Sequence, residues 1–286
     1  MTYTITARKT LTSEELAHIK ELVAICNEQD GIDLKVNPSM LEKRSGEHEE
    51  DFLCYVNEKL VGFLGLYVFH SGEAEVSGMV HPAFRRNGIF TALQAKAVDE
   101  CRRRGIPSHL YIVQRDSQSG KSYMERIGGD YQFSEYRMEL REKQPGNLLG
   151  NLHLRAETAN DLETLIWLNV HGFQLEEERA REMSVNMAGD PKSRTYLMVV
   201  NDQAIGKISV RKNEGKAFIY GFCVHPDHQG KGYGRQALAQ TIQLMEEEGY
   251  PHVSLEVACE NSKALGLYES CGFSVKSAND YYKLDL

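Results

Sequence analysis

The chain has 286 residues, enough for two domains that each bury a core. A charged fraction of 26% and a hydrophobic fraction of 41% are those of a soluble globular protein, and a net charge of −8 supplies no basic surface for nucleic acid. The longest apolar runs, such as Leu64 to Phe69, are too short to span a bilayer, and the opening residues lack the apolar core of a secretory signal, so no membrane partner is expected and the expected location is the cytoplasm.

In chain order, TSEELAHIKELVAIC (12–26) opens the first half with the 3.6-residue apolar period of a helix. A mixed run of strands and helices follows, ending at the strand YRMEL (136–140). The segment REKQPGNLLGN (141–151) then breaks any regular pattern at Pro145, Gly146 and Gly150 and reads as a linker. In the second half, DLETLIWLNVHGF (161–173) is helical in period, with Asn160 or Asp161 as its cap. Strands are predicted at TYLMVV (195–200), AIGKISV (204–210) and AFIYGFCV (217–224), the first two joined by a turn at Asn201 and Asp202. After the loop QGKGYG comes a helix with Leu238, Ile242 and Met245 on one face and Gly249 as its stop. The strand HVSLEVA (252–258), a helix around 262–271 and the strand YYKLDL (281–286) complete the half. This order is that of an α/β (α+β) protein with mixed sheets flanked by helices.

The chain repeats itself. At an offset of 144, VNEKLVG (56–62) lies over VNDQAIG (200–206), Val-His-Pro (80–82) over Val-His-Pro (224–226), Gly88 over Gly232 and Gly128 over Gly272. Such spacing, held without a gap, reads as a tandem duplication with domains at 1–145 and 151–286. The six cysteines show no ligand spacing and the ten histidines no HExxH pattern, so the thiols read as reduced and mostly buried, and no metal site is expected.

The glycine loop at 229–235 lies between an apolar strand and an amphipathic helix, where unpaired amides and the positive end of the helix dipole favour phosphate oxygens. It matches neither a Walker loop nor the dinucleotide fingerprint. The spacing of Gln229, Gly232 and Gly234 resembles the Q/R-x-x-G-x-G/A pyrophosphate loop of the GNAT superfamily of acyl-CoA-dependent N-acyltransferases. The downstream run LEVACENSKALGLYESCGF (255–273) resembles the signature of its ribosomal-protein N-terminal acetyltransferase branch. The resemblance implies two tandem GNAT-type domains, each with a central sheet splayed open for CoA.

It also implies roles for particular residues. The CoA pyrophosphate would sit on Gln229, Gly230, Lys231, Gly232, Tyr233, Gly234 and Arg235. The thioester carbonyl would meet a backbone N–H near Cys223 and Val224, and such a preorganised donor contributes on the order of 3 kcal/mol. Asn261 would contact the pantetheine or order its loop. Tyr268 would protonate the departing sulfur while bordering the cofactor, and Glu256 would take the proton from the amine. Phe218 stands where other members carry a basic glutamate, so Glu256 has no rival there.

In the first copy Gly234 becomes Phe90, Glu256 becomes Ile112, Asn261 becomes Ser117 and Tyr268 becomes Met124. Tyr123 falls one position out of register, turned about 100 degrees away on a helix. The first domain therefore reads as a catalytically degenerate support. Val80, Arg85, Arg86 and Gly88 still form most of a phosphate loop and mark a candidate second CoA site. The leading expectation is transfer of an acetyl group from acetyl-CoA, as co-substrate, to a primary amine of a small molecule in a ternary complex. Two alternatives stand beside it: acetylation of a protein or peptide N-terminus, and a non-catalytic acyl-CoA sensor. The chain is expected as a monomer or homodimer, and the acidic segment 172–192 is a candidate acceptor loop.

Overall fold

The computed structural model describes residues 2–143, 151–187 and 192–286. Strands and helices follow in the order β1 (Thr4–Arg8), α1 (Ser13–Asp30), α2 (Pro38–Leu41), β2 (Asp51–Val56), β3 (Lys59–His70), β4 (Glu73–Val80), α3 (Ile89–Arg103), β5 (Ser108–Gln114), α4 (Gln118–Ile127) and β6 (Asp130–Leu140). They continue with β7 (His153–Ala156), α5 (Leu162–Phe173), α6 (Glu177–Met187), β8 (Ser193–Val200), β9 (Gln203–Asn213), β10 (Lys216–Val224), α7 (Tyr233–Glu247), β11 (His252–Ala258), α8 (Ser262–Ser270) and β12 (Phe273–Asp285). Among the described residues no helix is long and apolar enough to cross a membrane.

Local chemistry sets the element ends. Thr12 caps α1 with a capping box: its hydroxyl accepts from the Glu15 N–H at 3.1 Å, and the Glu15 carboxylate accepts from the Thr12 N–H at 2.9 Å. The helix stops at Gly31, whose φ of 65° is left-handed. The duplication is repeated in the backbone. The hairpin pair Asn57 and Glu58 has φ of 47° and 66°, and Asn201 and Asp202 have 49° and 62°, the left-handed values that a tight hairpin requires. Helices α3 and α7 begin and end at positions that differ by the repeat offset.

The chain divides into two compact units, Met1–Ser134 with Ser277–Leu286, and Glu135–Lys276. The first carries strands in the order β1-β2-β3-β4-β5-β12, and the second in the order β7-β8-β9-β10-β11-β6. The units thus differ from the sequence halves by an exchange of last strands. YYKLDL does not close the second half: Asn279 to Asp285 pair antiparallel with β5, from Asn279 opposite Gln114 to Asp285 opposite Ser108. Correspondingly β6 pairs with β11, from Ser254 opposite Glu139 to Ala258 opposite Glu135. Alternation along a strand defines its faces and leaves open which copy of a duplicated sheet it joins. Of the predicted linker, residues 144–150 lie outside the described residues.

In each unit one parallel pair is short. β4 and β5 are in register only from Ala74 opposite His109 to Val76 opposite Tyr111, and β10 and β11 only from Lys216 opposite His252 to Ile219 opposite Leu255. Beyond these residues the strands part, leaving main-chain groups that no ladder uses. The core of the first unit packs Leu64, Val76, Leu93 and Met124 on one sheet face and Leu22, Phe63 and Tyr67 on another. In the second, Ile219, Leu238, Leu255 and Tyr268 form the main cluster.

Candidate active site

The two units differ most at the strand that borders the opening. In the second, the ladder between β9 and β10 jumps from Tyr220 opposite Ser209 to Cys223 opposite Lys207, a bulge centred on Gly221, whose φ is 54°. In the first, β3 and β4 stay in regular register from Leu66 opposite Val76 to Gly62 opposite Val80. Ser77 stands there in place of Gly221, and the strand runs on unbent. A bulge takes backbone groups out of the regular ladder, and at this place only the second unit has one.

Cys223 and Val224 end β10. The Cys223 side chain is buried, its Sγ 3.7 Å from the Leu168 carbonyl, and burial pushes the thiol up to about 11. It is a packing group, and what this residue offers the opening is its backbone. The loop that follows is shaped by its own polar atoms. His225 accepts from the Asp227 N–H at 3.3 Å, Gln229 donates its side-chain amide to the Val224 carbonyl at 2.9 Å, and Gly230 and Gly232 take φ of 73° and 82°. The Lys231 ammonium donates to the Asp227 carbonyl at 2.8 Å and Arg235 to the Ser270 carbonyl at 3.1 Å. The first N–H used inside α7 is that of Gln236, donating to the Gly232 carbonyl at 3.2 Å. The amides before it open the helix without intrahelical partners, which suits a diphosphate held by main chain with the two cations turned onto carbonyls. Trp167, the single tryptophan, stacks on His225 at 4.4 Å and 8° beside this loop.

Gly234 lies against α8: a Cβ there would stand 3.2 Å from Leu267 and 3.7 Å from the Phe222 ring. The first unit reverses this pair. Phe90 takes the place of Gly234, its ring edge-on to Tyr123 at 4.7 Å, and Gly78 takes the place of Phe222, with its Cβ position 3.0 Å from the Phe90 ring. A glycine and a phenylalanine have exchanged sides of the same contact. The signal is present in the repeat alignment, where Gly78 falls over Phe222, and the sequence reading missed it.

On α8, Asn261 accepts from the Ala264 N–H at 3.1 Å as the N-cap, and Ser117 does the same for α4 with the Gly120 N–H at 3.2 Å. The capping role therefore survives in both copies, although the residue differs. Tyr268 is 8% exposed, between the rings of Phe222 at 6.4 Å and Phe273 at 6.1 Å, and burial pushes its hydroxyl up to about 12. It keeps its proton throughout the neutral range. Glu256 alternates along β11 with buried Leu255 and Val257, so its half-buried carboxylate stands on the opposite sheet face from that cluster, in register with Arg137 of β6. The exchanged strand thus brings a cation from the first sequence half to the position beside Glu256.

In the first unit the parted strands enclose a cavity of about 560 Å³, lined by Val80, Arg85, Arg86, Gly88 and Met124 among others. Arg85 is tied to Asp30 by two bonds of 2.8 and 2.6 Å and donates to the Val80 carbonyl at 3.0 Å. Arg86 holds a left-handed φ of 65° where its counterpart is Gly230. Tyr123 also borders this cavity, its hydroxyl engaged by Gln94 and its ring covered by Arg126 at 4.9 Å. Among the described residues no group of three His, Cys, Asp or Glu side chains is arranged to hold a metal ion.

Comparison with known proteins places this geometry. Mycothiol acetyltransferase of Propionibacterium freudenreichii subsp. shermanii is 27% identical over 294 aligned residues, covering 95% of this chain and 89% of that protein. Ribosomal protein bS18-alanine N-acetyltransferase of Escherichia coli (strain K12) is 39% identical over 59 residues in the C-terminal part, covering 21% of this chain and 40% of that protein. Among solved structures, a GCN5-related N-acetyltransferase from Sphaerobacter thermophilus superposes with a TM-score of 0.82 at 20% identity, covering 99% of this chain and 95% of that one. The profile described as acetyltransferase (GNAT) family matches twice, over residues 18–128 and 158–273, and the chain belongs to that family as a tandem N-acetyltransferase.

Proposed function

We propose that the second unit transfers an acetyl group from acetyl-CoA to a primary amine of a small molecule, while the first unit supports it without turnover. The observation that carries this reading is the bulge at Gly221, present in β10 and absent at the equivalent place in β4, in the unit that also has the buried Tyr268 hydroxyl and the amides of 230–235 that open α7 without helix partners. In this reading the loop amides hold the diphosphate and the bulged strand presents an N–H to the thioester carbonyl. The Tyr268 hydroxyl gives its proton to the sulfur as the C–S bond breaks, and Glu256 accepts the proton lost by the amine. The first copy, with Met124 and Ile112 at the two proton-transfer positions, lacks both groups.

A second reading concerns the cavity of the first unit. Its lining by Arg86, Gly88 and the α3 N-terminus favours an acyl-CoA held there without reaction. The E. coli relative acts on a protein, which keeps a peptide N-terminus as the alternative acceptor. A sensor without catalysis is disfavoured by the presence of both Glu256 and Tyr268, which binding alone does not need; the two stand on opposite faces of the sheet, Tyr268 in the cluster with Leu255 and Val257 and Glu256 turned away from it. The test is release of CoA thiol from acetyl-CoA against a panel of amino acids, polyamines, aminoglycosides and peptides. Turnover on a small amine supports the reading; turnover on peptides alone moves it to the alternative, and none on any class favours the sensor.

A further inference from the structure

Lys207 is 2% exposed, on the middle of a central strand. Its Nζ lies 3.7 Å from the place a Cβ would take on Gly221, and the Ser209 hydroxyl lies 3.5 Å from the same point. The ammonium end is therefore next to the bulge that distinguishes the second unit. Around it stand the Phe173 ring at 5.6 Å, at the end of α5, and Cys223 across the ladder. Ser209 shares a hydrogen bond of 2.9 Å with Thr195, and Glu157, whose own carboxyl is pushed up by burial, lies within electrostatic range.

Burying a lysine is costly unless its charge is met by a partner or given up. Among the described residues no carboxylate makes an ion pair with Nζ, and burial lowers the basicity of the amine. The first unit has no such group: Phe63 replaces Lys207, Gly65 replaces Ser209, and Phe63 packs fully buried with Leu22 and Tyr67. The sheet therefore accommodates an apolar side chain at this point, and the amine occurs only in the unit that carries the reaction groups.

We propose that Lys207 is an internal acetyl acceptor, acylated by the chain's own site when no external amine is bound. This rests on the acetyl-CoA reading above. Nζ attacks the thioester carbonyl carbon from its unprotonated form, a C–N bond forms, and the C–S bond breaks with its electron pair leaving on sulfur. The proton given up by nitrogen ends on that sulfur, so the products are one Nε-acetyl-lysine and one free CoA thiol. The amide that results has lost its basicity and stands beside the bulge, where it obstructs the approach of an external amine.

The test incubates the full chain with acetyl-CoA and no amine, then maps acetylation by peptide mass spectrometry, with acetyl-CoA binding measured separately by calorimetry. Lys207 is expected to be modified at least about tenfold faster in the folded chain than in urea, with Tyr268→Phe slowing it by a similar factor. Lys207→Arg is expected to release no CoA thiol without an added amine; should that variant not fold, the mapped site in the natural chain decides the matter. Bound acetyl-CoA with Lys207 unmodified, or modification spread evenly over surface lysines, overturns the proposal. Absence of acetyl-CoA binding instead refutes the functional reading, and the proposal with it.

Discussion

Tyr268 and Met124 stand one repeat apart on equivalent helices, both buried against the sheet, at 8% and 2% exposure, and only one carries an ionisable hydroxyl. The same packing position holds a proton donor in one unit and a thioether in the other. Replacing Tyr268 with Phe is therefore expected to slow thiol release at least about tenfold while leaving acetyl-CoA affinity nearly unchanged. Met124→Leu, which conserves volume, is expected to leave turnover unaltered. Steady-state kinetics beside calorimetric binding checks both, and a large loss in the Met124 variant would contradict the division of labour.

The Tyr268 hydroxyl also links stability to alkaline pH. Its ordinary value of 10.0 rises to about 12 in the fold because burial disfavours the phenolate. Its contribution is fully present below about pH 10 and is lost as pH rises through about 12, since the unfolded chain ionises first. About two units correspond to roughly 3 kcal/mol at most. Burial also pushes up the Tyr67 and Tyr111 hydroxyls, so the measurement is the difference between the natural chain and Tyr268→Phe in urea midpoints from pH 9 to 12. The variant is expected to lose less stability over that range, and parallel curves would show that the hydroxyl is not buried in solution.

Two backbone positions give opposite signs. Gly221 is left-handed with ordinary van der Waals space around its Cβ position, so Gly221→Ala costs conformational strain of about 1–2 kcal/mol and disturbs the bulge. Thiol release is expected to fall with it. Arg86 is a non-glycine at φ 65°, so Arg86→Gly is expected to stabilise the chain by about 1 kcal/mol without affecting turnover. Thermal unfolding of the two variants separates them, and equal effects would contradict the left-handed assignments.

The exchanged strands make the sequence halves incomplete. A fragment of residues 151–286 lacks β6, leaving β11 with an open edge and Glu256 without Arg137 opposite it. It is expected to unfold without a cooperative transition and to show no thiol release, while mixing it with a fragment of residues 1–150 restores both. A stable, active second fragment would show that the last strands pair within their own halves.

Much of this was legible in the sequence because repeat spacing and loop chemistry are local. The hairpin at Asn201 and Asp202, the stop at Gly249 and the glycine loop all follow from residues whose backbone demands are fixed by their own side chains. The strand exchange was not legible, since YYKLDL and YRMEL have compatible alternation and either sheet edge accepts either strand. Nor was the bulge, which depends on the register of β9 against β10 and shows locally only as Gly221 over Ser77. Lys207 reads as an ordinary strand lysine until burial reveals it. The acidic run of 172–192 reads either as an acceptor loop or as a solvated helix face, because its charged surface gives little apolar period; the structure has helix α6 at Glu177–Met187, and residues 188–191 lie outside the described residues.

The most direct test is a crystal structure with acetyl-CoA at saturating concentration. It is expected to show the diphosphate on the main-chain amides of 230–235, with the sulfur beside the Tyr268 hydroxyl and the carbonyl oxygen on an N–H of the bulged strand. Cofactor bound only in the cavity bordered by Arg86 and Met124, with the second unit empty, would contradict the account.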